Sequence, residues 1–510
     1  MTANLDRAGS DTPFYSANDR SRWATIRALG DDETYIIDSV IFADEEIRWD
    51  TIDKVRHLGE DGKFHFYSSK PPLMPTILSG LYRVVHQFTG WTLRDDTSAV
   101  VRTMMLLFNG GGWFLFLYFC ASLINAIPVR DWTRYYVLAC AGFGTFLSTF
   151  AISLNNHLPA AICVMAALYY VAEIWRREQA PSWMYALCGL FSSLAVANEL
   201  PALSFLAFAG LFCLLKSYRQ TLTSFLVPIL LVTSGFFYTN YLAHGTFSPA
   251  YAHRSDGNVE ATATGAFADE LNDGRFPKEL QEVAKNAFEF SLPVVEQDGW
   301  PSTPDEINRW VVRDQIGSTQ FAIQNVSGSD EYTIHAWKNW YDYPNSYWSK
   351  TNDAKKSEVD RGQASIEVYA FHLFFGHHGI FSLTPIWLLA FAGMVALAGG
   401  IKLAGRFQMK WLGWMALAIT AAVILFYLRR PEMDRNYGGV TSGLRWVFWL
   451  APIWLACMLP VVDWLASSKW GKAVCYVLLL ASILSAGYSA DNPWVQPWLY
   501  EIWDLTGIDK

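Results

Sequence analysis

Apolar residues gather into long runs between about residues 103 and 243, and again between about 380 and 489. A helix crossing the hydrocarbon core needs about 20 mostly apolar residues. The runs that meet or approach this lie at roughly 103–126, 133–153, 158–175, 183–197, 200–215, 222–243, 380–401, 411–428, 446–465 and 472–489, about ten in all. The fourth and fifth are short and separated only by Asn198-Glu199-Leu200-Pro201, so they read as one broken pair. Ahead of the spans, Arg22–Leu29 has the helical period, with Trp23, Ile26 and Leu29 on one face. Thr34–Phe42 reads as a short extended segment. Leu73–Phe88 is apolar on one face, interrupted by Arg83 and His86, which suits a helix lying along the bilayer surface.

A polar insertion from about Gly245 to Gln363 divides the spans into six and four. It holds turn-forming stretches, Arg254-Ser255-Asp256-Gly257 and Asn272-Asp273-Gly274, and a predicted helix over Glu279–Phe288. Its aromatic run, Trp337-Lys338-Asn339-Trp340-Tyr341-Asp342-Tyr343-Pro344 with Tyr347-Trp348, fits either sugar stacking or a small core with an interfacial anchor. The expected fold class is therefore an all-α polytopic membrane protein of about ten transmembrane helices plus interfacial helices, with a small mixed α/β extracytoplasmic insertion. The expected organisation is an outer loop with its interfacial helix (1–98), a first bundle (99–244), the insertion (245–364), a second bundle (365–489) and an outer tail (490–510).

The distribution of Lys and Arg orients the spans. One set of loops carries Arg130 and Arg134, Arg176 and Arg177, Lys216 and Arg219, then Lys402, Arg406 and Lys410, then Lys469 and Lys472. The alternate loops near Asn155 and Glu199 carry none, and only the loop with Arg429, Arg430 and Arg435 is basic on that side. The first set is assigned to the cytoplasm, so the Asp19–Lys70 stretch, the insertion and the C-terminal tail share the outer side. Composition agrees with a membrane protein: 52% of the 510 residues are hydrophobic and 17% charged, where soluble domains carry about 25% charge. A net charge of -8 argues against a nucleic-acid partner. The seven cysteines all sit in apolar runs and form neither a disulfide framework nor a CxxC site. Met1–Ser16 lacks the basic start and apolar core of a signal peptide.

The stretch from Asn18 to Leu73 is rich in carboxylates: Asp31, Asp32, Glu33, Asp38, Asp44, Glu45, Glu46, Asp50 and Asp53. A carboxylate beside the membrane can take a proton from an acceptor hydroxyl, and Asp19 is the candidate. Arg22, three residues on, would share its helical face and hold a carboxylate or phosphate. The structural alternative is a capping Asp19 with a solvated arginine. Lys70-Pro71-Pro72-Leu73 fixes Lys70 at headgroup depth, where an ammonium meets a lipid phosphate or simply snorkels. His372, His377 and His378, around Phe375-Gly376-His377-His378-Gly379, could hydrogen-bond a phosphate or substrate, or gather a metal. Asn436-Tyr437-Gly438-Gly439-Val440-Thr441-Ser442-Gly443-Leu444-Arg445-Trp446 sets glycines and hydroxyls at a helix start, where backbone N–H groups approach an anion. Arg445 is either an anion ligand there or a plain interfacial arginine. Glu199 is either a helix-end residue or lines the cavity.

Asp19-Arg20-Ser21-Arg22-Trp23-Ala24 followed by Tyr67-Ser68-Ser69-Lys70-Pro71-Pro72-Leu73 resembles the paired signature of the polytopic glycosyltransferases of the GT-C class. The closest patterns are those of the bacterial aminoarabinose lipid A transferases and the protein O-mannosyltransferase-like enzymes. The likeness is sharpest over residues 18–75. It implies that Asp19 is the catalytic acid position, that Arg22 lies near a lipid phosphate, and that Lys70 contacts it. The chain departs from the pattern at Arg20, where a second acid is expected, and at Ser69, where relatives often have Glu. It departs again at Asn155-Asn156-His157, where an Asp is common; Asn156 is the substrate-binding candidate from that loop. The family usually has a membrane helix before the catalytic loop, so the expectation is either a true start upstream of Met1, the favoured reading, or an N-terminus translocated unaided.

The leading expectation is a glycosyltransferase of the cytoplasmic membrane, active on its outer face. It would move sugar from a polyprenyl-phosphate donor to a hydroxyl on a lipid, glycan or protein acceptor, with inversion. No metal ligand set is assigned, and a divalent metal stays open as cofactor. The rivals are a transporter or flippase, which would carry ionisable residues deep in its spans, and a non-catalytic membrane protein whose insertion binds a partner.

Overall fold

Each of the ten apolar segments is helical in the computed structural model, because a chain in lipid must satisfy its backbone hydrogen bonds internally. The structure describes residues 12–43, 47–254, 257–296, 307–316, 319–326, 329–343, 345–348, 360, 362–401 and 409–506. Asp44, Glu45, Glu46, Ser255, Asp256, Pro344, Lys402 and Arg406 lie outside the described residues.

Among the described residues, seven helices are long and apolar enough to cross a membrane: Thr97–Asn125, Asp131–Ile152, His157–Arg176, Tyr218–His244, Lys410–Leu428, Arg445–Leu465 and Lys469–Tyr488. The other three expected spans are shorter helical pieces. Ser182–Asn198 and Leu200–Lys216 are split at Glu199, where Pro201 cannot continue the first helix. The expected 380–401 span is Ile380–Leu383 followed by Trp387–Ala398, interrupted at Thr384-Pro385. The chain is thus a helical membrane protein with seven helices of full spanning length among the described residues, rather than ten.

The chain forms two compact units. One comprises Met1–Asp19, Leu81–Phe236 and Glu358–Lys510; the other comprises Arg20–Gly80 and Phe237–Ser357. In the first, His157–Arg176 packs against Ser182–Asn198 and against the Thr97–Asn125 helix, and Trp387–Ala398 packs between Lys410–Leu428 and Ala451–Leu465. Small residues allow close approach: a Cβ on Gly393 would come within 1.9 Å of the Cys457 carbonyl oxygen. The apolar window of Arg445–Leu465 is 83% buried and that of Tyr218–His244 only 11%. The former is therefore central to the bundle, and the latter leaves its apolar surface outward.

The second unit pairs a hairpin with a sheet. Strands β1 (Lys54–Leu58) and β2 (Phe64–Ser68) are antiparallel, with Val55 opposite Tyr67 and His57 opposite His65. Gly62, at φ +74°, makes the turn. In the insertion, β3 (Val259–Thr264), β4 (Pro293–Glu296), β5 (Ile307–Asp314), β6 (Gln320–Val326) and β7 (Glu331–Ala336) form an antiparallel sheet in the order β3-β7-β6-β5-β4. Alternation puts Trp310, Val312, Phe321, Ile323, Tyr332 and Ile334 on one face. The Lys278–Lys285 helix covers that face through Leu280 and Ala284, close to where the sequence predicts it.

Thr34–Phe42 is not extended. Asp38–Ile41 forms a helical turn, and Asp38 is engaged by the Phe66 N–H at 2.7 Å and by His65 at 2.6 Å. The aromatic run of the insertion turns inward. Tyr341 and Tyr343 are buried, Tyr341 joins Val55 and Tyr67 in a small core, and Trp340 stacks on His253 at 3.6 Å. The small-core alternative thus describes these rings.

Candidate functional site

Three residues chosen separately from the sequence, Asn156, Glu199 and Arg445, meet in the helical unit around a fourth, His157. Each is delivered by a local break in the chain. Glu199 ends the Ser182–Asn198 helix in an extended conformation, φ -134° and ψ 102°, because Pro201 follows. Its carboxylate thereby leaves the helix axis and accepts from Asn156 Nδ2 at 2.6 Å. His157 is the first residue of its helix, and Asn155 caps that start by accepting the Leu158 N–H at 2.9 Å. Arg445 opens a 3₁₀ turn that passes into Ala451–Leu465. Gly438, at φ +96°, turns its carbonyl to accept from Arg445 Nε at 2.8 Å.

The order of contacts settles the tautomer of His157. Arginine only donates, so Arg445 Nη1, 2.9 Å from His157 Nε2, makes Nε2 the acceptor. The proton then sits on Nδ1, in contact with Glu199 Oε1. The ring is 2% exposed. The sequence is carboxylate, neutral imidazole, guanidinium. The guanidinium also lies 4.9 Å over the Trp494 ring, a cation–π contact, and the Trp494 indole N–H reaches Ser153 Oγ at 3.3 Å.

The loop before His157 is fastened by amides. Asn109 sits in a π-helical turn, Leu106–Gly110, of the first long helix; such turns often mark functional sites. Its Nδ2 donates to the Ala151 and Ser153 carbonyls, both at 2.9 Å. Asn155 Nδ2 donates to Phe150 and Ser153 carbonyls at 2.8 and 2.9 Å.

His377 and His378 lie elsewhere in this unit. Their Nδ1 atoms are 2.5 Å apart, His372 stacks on His377 at 3.9 Å, and Tyr437 stacks on His378 at 4.9 Å. Burial, with His372 adding to it against a hydrogen bond to the Thr441 carbonyl, brings His378 down to about 3. Burial and its two histidine neighbours push His377 well below the usual range. Both rings are neutral hydrogen-bonding groups. His378 also lines a small apolar cavity with Phe146, Trp387 and Phe448. Among the described residues, no group of three His, Cys, Asp or Glu is arranged to hold a metal ion.

Asp19 belongs to the helical unit and lies in the first turn of Ala17–Asp31. It is 1% exposed. Its Oδ2 accepts from the Tyr15 N–H at 3.1 Å, while its own N–H donates to Ser16 Oγ at 3.0 Å. This is a capping arrangement in which Ser16 caps and Asp19 reaches back. Arg22 follows one turn later and is buried, not solvated.

Lys70 belongs to the second unit. Its ammonium pairs with Asp53 Oδ2 at 3.0 Å. The backbone around the pair is tied by serines. Ser21 Oγ donates to the Asp53 carbonyl and contacts Ser68 Oγ, both at 2.6 Å. Ser68 Oγ accepts the Lys70 N–H at 3.1 Å, and the Ser69 N–H donates to the Asp53 carbonyl at 3.1 Å.

Sequence reasoning passed over His157, Asp53, Asn109 and Trp494. His157 carries one usable signal: a histidine heading an apolar span from a loop without Lys or Arg. Asp53 is one acid among many, and nothing local distinguishes it. No protein-family model matches the chain, and neither a curated protein nor a solved structure matches it.

Proposed function

We propose that the chain is a multi-pass glycosyltransferase of the cytoplasmic membrane. In this reading it moves a sugar from a polyprenyl-phosphate donor to an acceptor hydroxyl on the outer face. The observation that carries the reading is the Arg445 guanidinium, oriented at a helix start by the Gly438 carbonyl and His157. A guanidinium held in plane by fixed partners is suited to a phosphate, whose charge it meets without reorganising. The motif pair Asp19–Ala24 and Tyr67–Leu73 supports the same reading through its resemblance to GT-C enzymes.

In the proposed reaction the acceptor hydroxyl passes its proton to Asp19 and attacks the anomeric carbon. The bond from that carbon to the phosphate oxygen breaks, and the lipid phosphate leaves with the electron pair. Arg445 stabilises the charge growing on that phosphate. One displacement gives inversion at the anomeric carbon.

Purified protein incubated with a radiolabelled polyprenyl-phosphate sugar and a mixture of lipid, glycan and peptide acceptors tests this. The expected result is label on an acceptor, lost in Asp19→Asn with donor binding retained. Full activity of Asp19→Asn removes Asp19 from the mechanism. Movement of the donor across vesicles without transfer identifies a transporter instead, and neither result leaves a binding role.

A further inference from the structure

His157 is interposed between a carboxylate and a guanidinium that could have paired directly. As the tautomer stands, Arg445 donates to the Nε2 lone pair. An anion that draws Arg445 towards itself therefore has two consequences. The Nε2 acceptor loses that donor, which is unfavourable in a buried site. Glu199, 7% exposed, also loses part of the positive charge that compensates it, and an uncompensated buried charge costs more still. A single proton added at Nε2 removes both penalties. It gives Nε2 a hydrogen to donate to the incoming anion and converts the ring into a cation in contact with Glu199.

We propose that His157 takes up one proton when a phosphate anion engages Arg445, so that phosphate binding at this centre is coupled to proton uptake. The inference rests on the reading of Arg445 as a phosphate ligand and adds a proton to it. The balance is simple: the proton comes from solvent, no covalent bond changes, and the centre goes from net neutral to net positive as the anion arrives.

The groups facing the imidazole fit this role. Glu199 and Asn156 lie on the Nδ1 side, and Arg445 lies on the Nε2 side. The rings of Phe150 and Phe448 flank it, each centred 6.2 Å away. Tyr427, at the end of the Lys410–Leu428 helix, is within electrostatic reach of Glu199, Arg430 and Arg445. The apolar walls keep the local dielectric low, so a change of charge at Arg445 is felt strongly at the ring.

The probe is farnesyl methyl phosphate, a diester that stays a monoanion across the working range, so any proton exchanged belongs to the protein. Calorimetric titration of the full chain in detergent at pH 7, in two buffers of different ionisation heat, counts the protons taken up. Wild type is expected to take up close to one per diester bound, and its affinity to weaken about tenfold per pH unit as pH rises through the coupled range. His157→Gln, which can still accept from Arg445 and donate to Glu199, is expected to bind with no proton uptake and a flat pH profile. Glu199→Gln is expected to lose most of the coupling as well, and serves if His157→Gln fails to fold. Wild-type binding without proton uptake overturns the proposal and leaves the phosphate reading of Arg445 intact, as does undiminished uptake in folded His157→Gln. A wild-type chain that binds no diester overturns the phosphate reading and this inference together. Proton-coupled binding in a chain that transfers no sugar supports the inference and overturns only the transferase reading.

Discussion

His157 and His57 are both buried histidines, one in each unit, and their surroundings differ in kind. His157 lies between Glu199 and Arg445. His57 stacks on Tyr67 at 4.0 Å and meets Trp340 at 4.3 Å, and its Nε2 is 3.0 Å from His244 Nδ1. Nδ1 of His57 donates to the Leu58 carbonyl at 3.0 Å, so Nε2 accepts from His244 and both rings are neutral. Burial brings His57 down to about 4; the Leu58 carbonyl resists this, and His253 and His65 add to it. One imidazole has a carboxylate ready to receive a cation, and the other meets rings, the Leu58 carbonyl and another imidazole. The same side chain thus serves as a proton acceptor in the first setting and as neutral packing in the second.

The comparison breaks most visibly at Glu199. Glu199→Ala strips the counter-charge from a buried centre, with an expected loss of about 3–5 kcal/mol, read as thermal unfolding in detergent. Glu199→Gln keeps the hydrogen-bonding shape and should lose much less. Equal losses would mean that Glu199 acts there by packing, not by charge.

For His57 the expected effect is a pH slope. Its folded pKa of about 4 lies below the unfolded value of about 6.5, so between the two the unfolded chain binds the extra proton. Stability therefore falls as pH drops through this window, by about 3 kcal/mol in total. His57→Gln should reduce the slope between pH 6.5 and 4 by that amount, leaving the part that His244, His377 and His378 contribute. An undiminished slope after the substitution would show that His57 does not contribute to it.

Asn109→Ala sharpens the comparison from the first side, since it acts only on the loop that leads to His157. It leaves the buried Ala151 and Ser153 carbonyls without the Asn109 donor, with an expected cost of about 1–3 kcal/mol. If this loop holds His157 in register, proton uptake on binding the diester should fall in Asn109→Ala while donor affinity changes little. Unchanged uptake would make Asn109 a purely structural residue.

What the sequence made legible was periodicity and chain position. All ten apolar runs are helical because that pattern is local. Their completeness as spans was less legible, since Pro201 and Pro385 shorten three of them and hydropathy alone does not register a broken helix. Thr34–Phe42 was misread because Asp38 takes its partners, His65 and the Phe66 N–H, from a strand far along the chain. Asn156, Glu199 and Arg445 were recognisable as polar residues at the ends of spans. Their meeting was not, because it depends on how three separated helices pack. His157, which joins them, sits beside two asparagines that make the stretch look like an ordinary loop. The Trp337–Trp348 run shows the converse: an aromatic pattern open to a ligand-binding reading is largely used as core, a difference that only burial reveals.

The smallest expected effect comes from His65, whose setting again includes carboxylates, so it tests whether charge partners or location in the second unit decide a histidine's behaviour. Burial opposes charge on His65, but hydrogen bonds to Asp38 and Asp61, at 2.6 and 3.1 Å, outweigh it and raise its pKa. A folded value above the unfolded one means that the stabilisation is complete below the unfolded pKa and is lost as pH rises through the folded one. That is the reverse of His57. Because the pair with Asp61 is open to solvent, the gain is expected to be a few tenths of a kcal/mol. Unfolding temperatures of wild type and His65→Gln should differ at pH 5.5 and converge by about pH 8.5, with salt narrowing the gap at the lower pH. A gap that widens as pH rises would show that His65 is held neutral like His57, and that the unit, not the neighbouring carboxylates, sets the charge.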